Sequence, residues 1–273
     1  MSIDEAATGD PPSGHPLVEW EARPEHPFHA RLDEVGDGYR FWVDGLGTFV
    51  IDVTAPRVTV PSGAETVRRE ERMWGVPMAL CLDVRGDLPL HAAAVEVDGA
   101  GLVFLGPGRF GKTTLAAAFH ERGHRVLAED LTCVRLSPAP SILPGPALLR
   151  LRPDIRSMLE VPNVEPIADD PERVHLSIDP SRRGDGTPVP LAGLVVLRRG
   201  TPDIQLYRVP AERFIPEIAA VSWLLPGEDD RLRIFDKVAR LVTEVPVWLL
   251  DRPLEFGTLP DVLDRLTAEC LAP

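Results

Sequence analysis

Residues 106–113 have the types and the spacing of a loop that binds phosphate. They match the pattern G-x-x-x-x-G-K-[ST] without a gap, and we call them the glycine loop. Glycines let backbone N–H groups turn inward around a phosphate, and a helix that follows adds partial positive charge. Lys112 can reach the β- and γ-phosphates of a nucleotide, and the Thr113 hydroxyl can bind Mg²⁺. The residues predicted to bind the nucleotide are Gly106, Gly108, Arg109, Phe110, Gly111, Lys112, Thr113 and Thr114.

The segments on either side of the glycine loop are those that this chemistry requires. Residues 102–105 are apolar and predict a short buried strand, whereas residues 114–119 predict a helix. Lys112 is one of only two lysines among 29 basic residues. A planar guanidinium does not replace a compact ammonium inside a phosphate-sized loop, so this lysine points to phosphate binding.

Two adjacent acids follow the next predicted strand, residues 124–128. Glu129 and Asp130 stand at its carboxyl end, where parallel α/β sheets bind their ligands. Mg²⁺ favours oxygen ligands, so one acid can hold the metal directly or through water. The other acid can accept a proton from an attacking hydroxyl. The sequence therefore predicts a nucleotide and magnesium site with a base beside it.

Other charged side chains are candidates for the same site. His91 interrupts an apolar stretch, and residues 90–97 predict a strand that forms a hairpin with the strand before the glycine loop. In that position the imidazole can reach phosphate oxygens or an acidic partner. Arg173, Arg182 and Arg183 are candidates for clamping the transferred phosphate or a substrate anion.

These segments together resemble the C-terminal kinase domain of the HPr serine kinase/phosphorylase family. The resemblance is carried by residues 90–95, by the glycine loop and by residues 122–130, which read Arg-Gly-His followed by a strand and an acidic pair. It implies a P-loop kinase fold related to phosphoenolpyruvate carboxykinase, with ATP or GTP and Mg²⁺ as cofactors. It also implies phosphoryl transfer to a serine hydroxyl and suggests a homo-oligomer. The implied catalytic residues are His91, Glu129 and Asp130, with Glu129 as base and with Thr113 and Asp130 holding Mg²⁺.

The chain departs from that family in three respects. Glu129 stands where the family usually has Asp, and Arg109 and Phe110 are bulky where the family has small residues. The family's later segment for binding HPr is not found, so HPr is not the expected acceptor. The chain is more similar to HPr-kinase-like proteins of peptide natural-product pathways, which favours serine of a precursor peptide. Two alternatives are a small-molecule kinase acting on free serine or a sugar, and a nucleotide-binding sensor or assembly protein with little catalysis.

Composition excludes several other classes of function. The 273 residues include 44% hydrophobic and 26% charged residues and carry a net charge of −13. This charge argues against nucleic acid and against an anionic membrane surface as partner. The three cysteines are widely spaced and indicate neither zinc binding nor a disulfide framework. No signal peptide or membrane-spanning run is evident, so a cytoplasmic protein is expected.

The pattern along the chain predicts an α/β protein with a mixed sheet flanked by helices. Residues 1–16 are expected to be a disordered leader, residues 17–88 a β-rich portion packed on the core, and residues 89–273 the P-loop kinase core. Within the β-rich portion, the pattern predicts strands followed by a helix. The predicted strands are 41–43, 48–51 and 57–60, and the predicted helix is 64–85.

Overall fold

The computed structural model describes residues 2–6, 15–22, 28–63, 66–169, 173–182, 184–222, 225 and 227–271. The chain forms two compact units. The first comprises Met1–Asp87 and Trp223–Leu232, and the second comprises Leu88–Ser222 and Arg233–Pro273. Strands and helices occur in both units, so the protein is a mixed α/β protein with several sheets.

Within its described residues, the first unit is built on a sheet with strand order β1-β6-β5-β4-β3-β2. The strands are β1 (Ser2–Ala6), β2 (Val18–Trp20), β3 (Ala30–Val35), β4 (Gly38–Val43), β5 (Gly47–Asp52) and β6 (Arg57–Pro61), and the helices are α1 (Thr66–Met73) and α2 (Val76–Val84). Apolar residues at alternate positions put Phe41 opposite Phe49 in the ladder, both buried in the core of this unit. The strands predicted at 41–43, 48–51 and 57–60 lie within β4, β5 and β6 and are confirmed.

Two expectations for the first unit differ from the structure. Part of the segment expected to be a disordered leader is a strand, since β1 pairs in parallel with β6; residues 7–14 lie outside the described residues. The single helix expected at 64–85 is two helices, because α1 ends at Met73 and α2 begins at Val76. Pro77 lacks an N–H donor and fits only the first turn of a helix, so it marks a new start.

The second unit contains a mixed sheet with the order β10-β8-β9-β16-β12-β11-β7. Two further strands extend this sheet: β18 pairs with β16, and β17 pairs with β18. A small sheet has the order β13-β15-β14. The strands are β7 (Leu88–Leu90), β8 (Ala93–Val97), β9 (Ala100–Leu105), β10 (Arg125–Ala128), β11 (Thr132–Arg135), β12 (Ser141–Leu143), β13 (Leu148–Leu151), β14 (Val164–Asp169), β15 (Val174–Ile178), β16 (Val189–Arg198), β17 (Gln205–Val209) and β18 (Val247–Asp251). The helices are α3 (Lys112–Glu121), α4 (Pro153–Met158), α5 (Ile215–Ala220), α6 (Glu228–Glu244, which begins in the first unit) and α7 (Leu259–Cys270).

The hairpin predicted before the glycine loop is present. Strands β8 and β9 pair antiparallel, and Asp98 (φ 51°) and Gly99 (φ 82°) take the positive φ values that a tight two-residue turn requires. The strand predicted over 90–97 is, however, interrupted. Leu88–Leu90 pairs with β11 instead of β9, and the chain resumes as β8 at Ala93. His91 lies in this break, where its N–H donates to the carbonyl of Val221 (2.6 Å).

Three neighbouring parallel strands position the candidate site. β16 pairs in parallel with β9 on one side and with β18 on the other. Helix α3 packs on this sheet, with Phe119 stacked on Phe104 at a centroid distance of 5.9 Å. Because the three strands run in the same direction, the loops that follow them meet at one edge, where α/β sheets bind their ligands.

Candidate active site

The glycine loop joins β9 to α3 and encloses the side chain of Lys112. Lys112 is the first residue of α3 and is 8% exposed. Its Nζ donates to the carbonyl oxygens of Gly106 (2.8 Å) and Pro107 (3.3 Å). Burial lowers the pKa of Lys112, although the carboxylates of Asp130 and Glu129 oppose this effect. The ammonium is therefore held at the base of the loop, close to the N-terminus of a helix.

The two bulky residues of the glycine loop have different environments. The Phe110 ring is half-buried, packs against the core of the second unit and lies 5.0 Å from the guanidinium of Arg199. Arg109 is exposed and has a positive φ of 66°. Phe110 is thus turned toward the protein, and the cavity described below is lined by Gly108, Arg109 and Gly111 but not by Phe110.

Glu129 connects the end of β10 to the glycine loop. Its Oε1 accepts a hydrogen bond from Thr113 Oγ1 (2.9 Å), and its Oε2 accepts one from Arg150 Nε (2.8 Å). The side chain is only 6% exposed. Thr113 and the Glu129 carboxylate therefore form a fixed pair of oxygen groups beside Lys112.

Asp130 is more open to solvent than Glu129. Its side chain is 46% exposed, with Oδ1 3.0 Å from His91 Nδ1 and Oδ2 3.2 Å from Arg150 Nη2. Burial alone would raise its pKa, but the His91 hydrogen bond and the charge of Arg150 hold the pKa of Asp130 below its usual range. Its backbone has φ 72°, a left-handed conformation that is costly for a residue with a Cβ. The structure thus holds an ionised carboxylate in a strained turn.

The candidate residues face one cavity of about 650 Å³ in the second unit. Those predicted from the sequence that line it are His91, Gly108, Arg109, Gly111, Lys112, Thr113, Thr114, Glu129, Asp130 and Arg173. Gly106 and Phe110 belong to the glycine loop but do not line the cavity, and Arg182 lies away from it in a short 3-10 helix. Arg183 lies outside the described residues.

Three arginines at the cavity, Arg150, Arg152 and Arg252, were not predicted from the sequence. Arg150 lies on β13 between the buried Leu149 and Leu151, so strand alternation turns it to the opposite face. Arg252 follows directly after β18. An arginine between alternating leucines and an arginine at the carboxyl end of a predicted strand are the signals that could have indicated Arg150 and Arg252.

Two protein oxygen groups beside Lys112 are of the type that binds Mg²⁺. Among the described residues, no group of three or more His, Cys, Asp or Glu side chains could hold a metal ion. Mg²⁺ in phosphoryl-transfer sites is bound by one or two protein oxygens together with substrate phosphates and water. The Thr113 hydroxyl and the Glu129 carboxylate, 2.9 Å apart beside Lys112, supply such a pair.

Comparisons with known proteins give limited similarity. No family model and no curated protein matches the chain. Among solved structures, the chain is similar to the HPr(Ser) kinase/phosphatase from Coxiella burnetii, with 12% identity and a TM-score of 0.34 over 66% of this chain and 87% of that chain. In the part of the chain that the structure describes, no helix is both long and apolar enough to cross a membrane. The functional assignment therefore rests on the geometry of the site.

Proposed function

We propose that the protein is an ATP- and Mg²⁺-dependent kinase that transfers a phosphoryl group to a hydroxyl, specifically to serine of a peptide. One observation carries the proposal: the glycine loop with its buried lysine and the Glu129–Asp130 pair line the same cavity. Phosphate-binding amides, a cation and two carboxylates in different environments are the groups that phosphoryl transfer needs, because its catalysis is mostly positioning and charge stabilisation.

The glycine loop and the start of α3 would hold the phosphates. Backbone N–H groups at a helix N-terminus bind anions, and the Lys112 ammonium is already directed at the loop by its bonds to Gly106 and Pro107. A phosphate entering the loop gives this cation a negatively charged partner in place of two carbonyl oxygens. Thr114 lines the cavity one residue further along α3.

The contacts favour a different division of roles between the two acids from the one expected from the sequence. Thr113 is bonded to Glu129 and not to Asp130, so we assign Thr113 and Glu129 to Mg²⁺. When bound, Mg²⁺ supplies positive charge that offsets the charge of the phosphates during transfer. Arg150 fixes the Glu129 carboxylate from its other side.

Asp130 is then the group that receives the acceptor hydroxyl. It is ionised and half-exposed, and its hydrogen bond with His91 orients the carboxylate. As the acceptor oxygen bonds to the γ-phosphorus and the bond to ADP breaks, the hydroxyl proton passes to Asp130. A carboxylate of low pKa suits this step, because the proton leaves late in a loose transition state and the carboxylate mainly orients the oxygen.

A peptide is favoured as acceptor because the acceptor side of the cavity is open to solvent. His91 and Asp130 are both nearly half-exposed. Arg152 and Asp154, also at the cavity, are exposed and paired with each other. A hydroxyl on a large substrate can approach Asp130 from this side, whereas a small-molecule kinase usually encloses its acceptor.

The test combines nucleotide binding with phosphoryl transfer. Calorimetric titration of the full chain with ATP and Mg²⁺ should show binding that Lys112→Ala abolishes. Lys237→Ala is the matched control, since it removes the only other lysine and lies on α6 away from the cavity. Labelled phosphate should then appear on serine of a peptide in a screen of serine-containing peptides.

Each alternative result has a definite meaning. If the wild type binds no nucleotide, the proposal is wrong. Label on free serine or a sugar, but on no peptide, would indicate a small-molecule kinase. Tight binding without turnover on any hydroxyl would indicate a nucleotide sensor.

A further inference from the structure

Arg252 is a buried cation without a carboxylate partner in the described part of the chain. Its side chain is 3% exposed, and its Nη1 donates to the neighbouring carbonyl of Pro253 (3.2 Å). Its Nε is buried and has no hydrogen-bond partner. Burial lowers the pKa of Arg252 to about 10, and no carboxylate charge opposes the effect. Buried guanidinium groups are normally paired, so an anionic partner is missing from the protein itself.

The guanidinium lies directly against the glycine loop. A Cβ on Gly111 would come 2.7 Å from Arg252 Nη2, so only glycine leaves room for this contact. Arg252 also lines the cavity that contains Lys112 and Thr113. The group that would pair with Arg252 is therefore an anion in the same cavity as the phosphate-binding loop.

A second, more open depression adjoins the cavity at Arg252 and Leu254. Residues 199–202, which follow β16, and residues 252–254, which follow β18, line this depression. Arg252 and Leu254 line both hollows. Because β9, β16 and β18 are adjacent and parallel, the three loops lie side by side at one sheet edge. A ligand held at the glycine loop can therefore extend across Arg252 onto the next two loops.

We propose that Arg252 binds the phosphate chain of the donor beside Gly111, and that the depression lined by residues 199–202 and 252–254 takes the nucleoside. This inference rests on the proposed function and deepens it, because it assigns the residues that bind the phosphate chain and the nucleoside of the donor. A guanidinium forms paired hydrogen bonds to phosphate oxygens, which satisfies the unpartnered Nε. Arg199, held over the Phe110 ring, forms the nucleoside side of the depression.

The experiment compares ATP with inorganic tripolyphosphate, both with Mg²⁺, in calorimetric titrations of the full chain. Arg252→Gln should weaken binding of both ligands by about tenfold to a hundredfold, the usual loss of a charge-assisted hydrogen bond. Arg199→Ala should weaken the binding of ATP and leave the affinity for tripolyphosphate unchanged. Arg240→Gln is the matched control and should leave both affinities unchanged, since Arg240 is exposed on α6, is paired with Glu244 and does not line the cavity.

Melting temperature separates a binding role from a structural role. Since Arg252→Gln removes an unpaired buried charge, the nucleotide-free variant should melt no lower than the wild type. Arg252→Lys keeps the charge without the planar fork and should bind both ligands with intermediate affinity. A clear fall in melting temperature for both variants would assign Arg252 to the fold and overturn the proposal.

Two binding results would also overturn it. In the first, Arg252→Gln binds ATP with unchanged affinity while Lys112→Ala loses binding. This result would overturn the role of Arg252 but leave the proposed function intact. The other is equal affinity of the wild type for ATP and tripolyphosphate, which would leave no role for the depression. Absence of any nucleotide binding by the wild type would instead overturn the proposed function, and this inference with it.

Discussion

Glu129 and Asp130 are adjacent in the chain but lie in different environments. Glu129 is almost fully buried and bonded to Thr113 and Arg150, whereas Asp130 is half-exposed and bonded to His91. The left-handed backbone of Asp130 turns its side chain away from the direction a regular strand would give. One carboxylate is thus directed to the glycine loop and the other to the open side of the cavity.

This difference predicts separable effects of neutralising each acid. Glu129→Gln should raise the Mg²⁺ concentration needed for half-maximal nucleotide binding by at least about tenfold, because it removes a charged oxygen ligand. Asp130→Asn should leave nucleotide binding and its Mg²⁺ dependence close to wild type. It should slow phosphoryl transfer by about 10²- to 10⁴-fold, the usual contribution of a positioned base. Titrations at stepped Mg²⁺ concentrations and single-turnover rates measure the two effects.

A double variant is the control for this prediction. If the roles are separate, the effect on Mg²⁺ dependence in the double variant should equal that of Glu129→Gln alone. The reverse pattern, with Asp130→Asn changing Mg²⁺ dependence and Glu129→Gln changing only the transfer rate, would restore the assignment expected from the sequence.

At the scale of single residues, the sequence predicted the site residues that are close together along the chain. The residues of the glycine loop are consecutive, so their spacing alone identifies them. Arg150 and Arg252 reach the same cavity from strands far along the chain, and their partners depend on strand order. The bond between Thr113 and Glu129 likewise depends on side-chain directions that two adjacent acids do not reveal.

Among the structural elements, the turn from β9 into α3 depends on two glycines in different ways. Gly111 has φ 89° and lies against Arg252, so a side chain there meets both backbone strain and a close contact. A Cβ on Gly108 would meet nothing within 4 Å. Gly108 therefore borders open space in front of the loop, whereas Gly111 is needed for the conformation of the loop itself.

Alanine at each position should separate these two requirements. Gly111→Ala should lower the free energy of unfolding by about 1–2 kcal/mol, the cost of a left-handed conformation for a residue with a Cβ. Gly108→Ala should leave stability unchanged but weaken nucleotide binding, because the added methyl group occupies the phosphate side of the loop. Denaturant unfolding and calorimetry on both variants measure this. Equal stability of the two variants would contradict the assigned strain at Gly111.

The elements themselves were predictable where they depend on neighbouring residues. The hairpin of β8 and β9 follows from Asp98-Gly99, and β4, β5 and β6 follow from alternating apolar residues. The break at His91 was missed because Leu90 and Ala93 are both apolar and buried, and only their partners differ: β11 for one and β9 for the other. Periodicity within a strand does not encode its partner.

At the scale of the whole molecule, the charge of the cavity is opposite to that of the chain. The chain carries a net charge of −13. Within the described residues, the cationic side chains lining the cavity are Arg109, Lys112, Arg150, Arg152, Arg173 and Arg252, and the acidic ones are Glu129, Asp130, Asp154 and Glu255. A local excess of cations in an acidic protein concentrates an anionic ligand at this cavity and disfavours anionic polymers elsewhere.

The division into units depends on more than the local sequence pattern. The sequence placed a boundary between residues 88 and 89, and the two units divide between Asp87 and Leu88. Trp223–Leu232 belongs to the first unit although it lies far along the chain. Such a return depends on long-range packing, which neither composition nor periodicity records.

All the residues that line the cavity belong to the second unit, so ligand binding should have a local signature. ATP with Mg²⁺ should slow backbone amide exchange in peptides from the glycine loop, from residues 129–131 and from the loops after β16 and β18. Amides in β3, β4 and β5 of the first unit should exchange at unchanged rates, because binding stabilises the residues that contact ligand. Hydrogen-exchange mass spectrometry of the full chain measures both regions together.

The control for this prediction is Lys112→Ala. With the same nucleotide, this variant should show no slowing anywhere, which rules out an effect of ATP on exchange chemistry. Slowing confined to the first unit would place the nucleotide outside this cavity and contradict the proposed site.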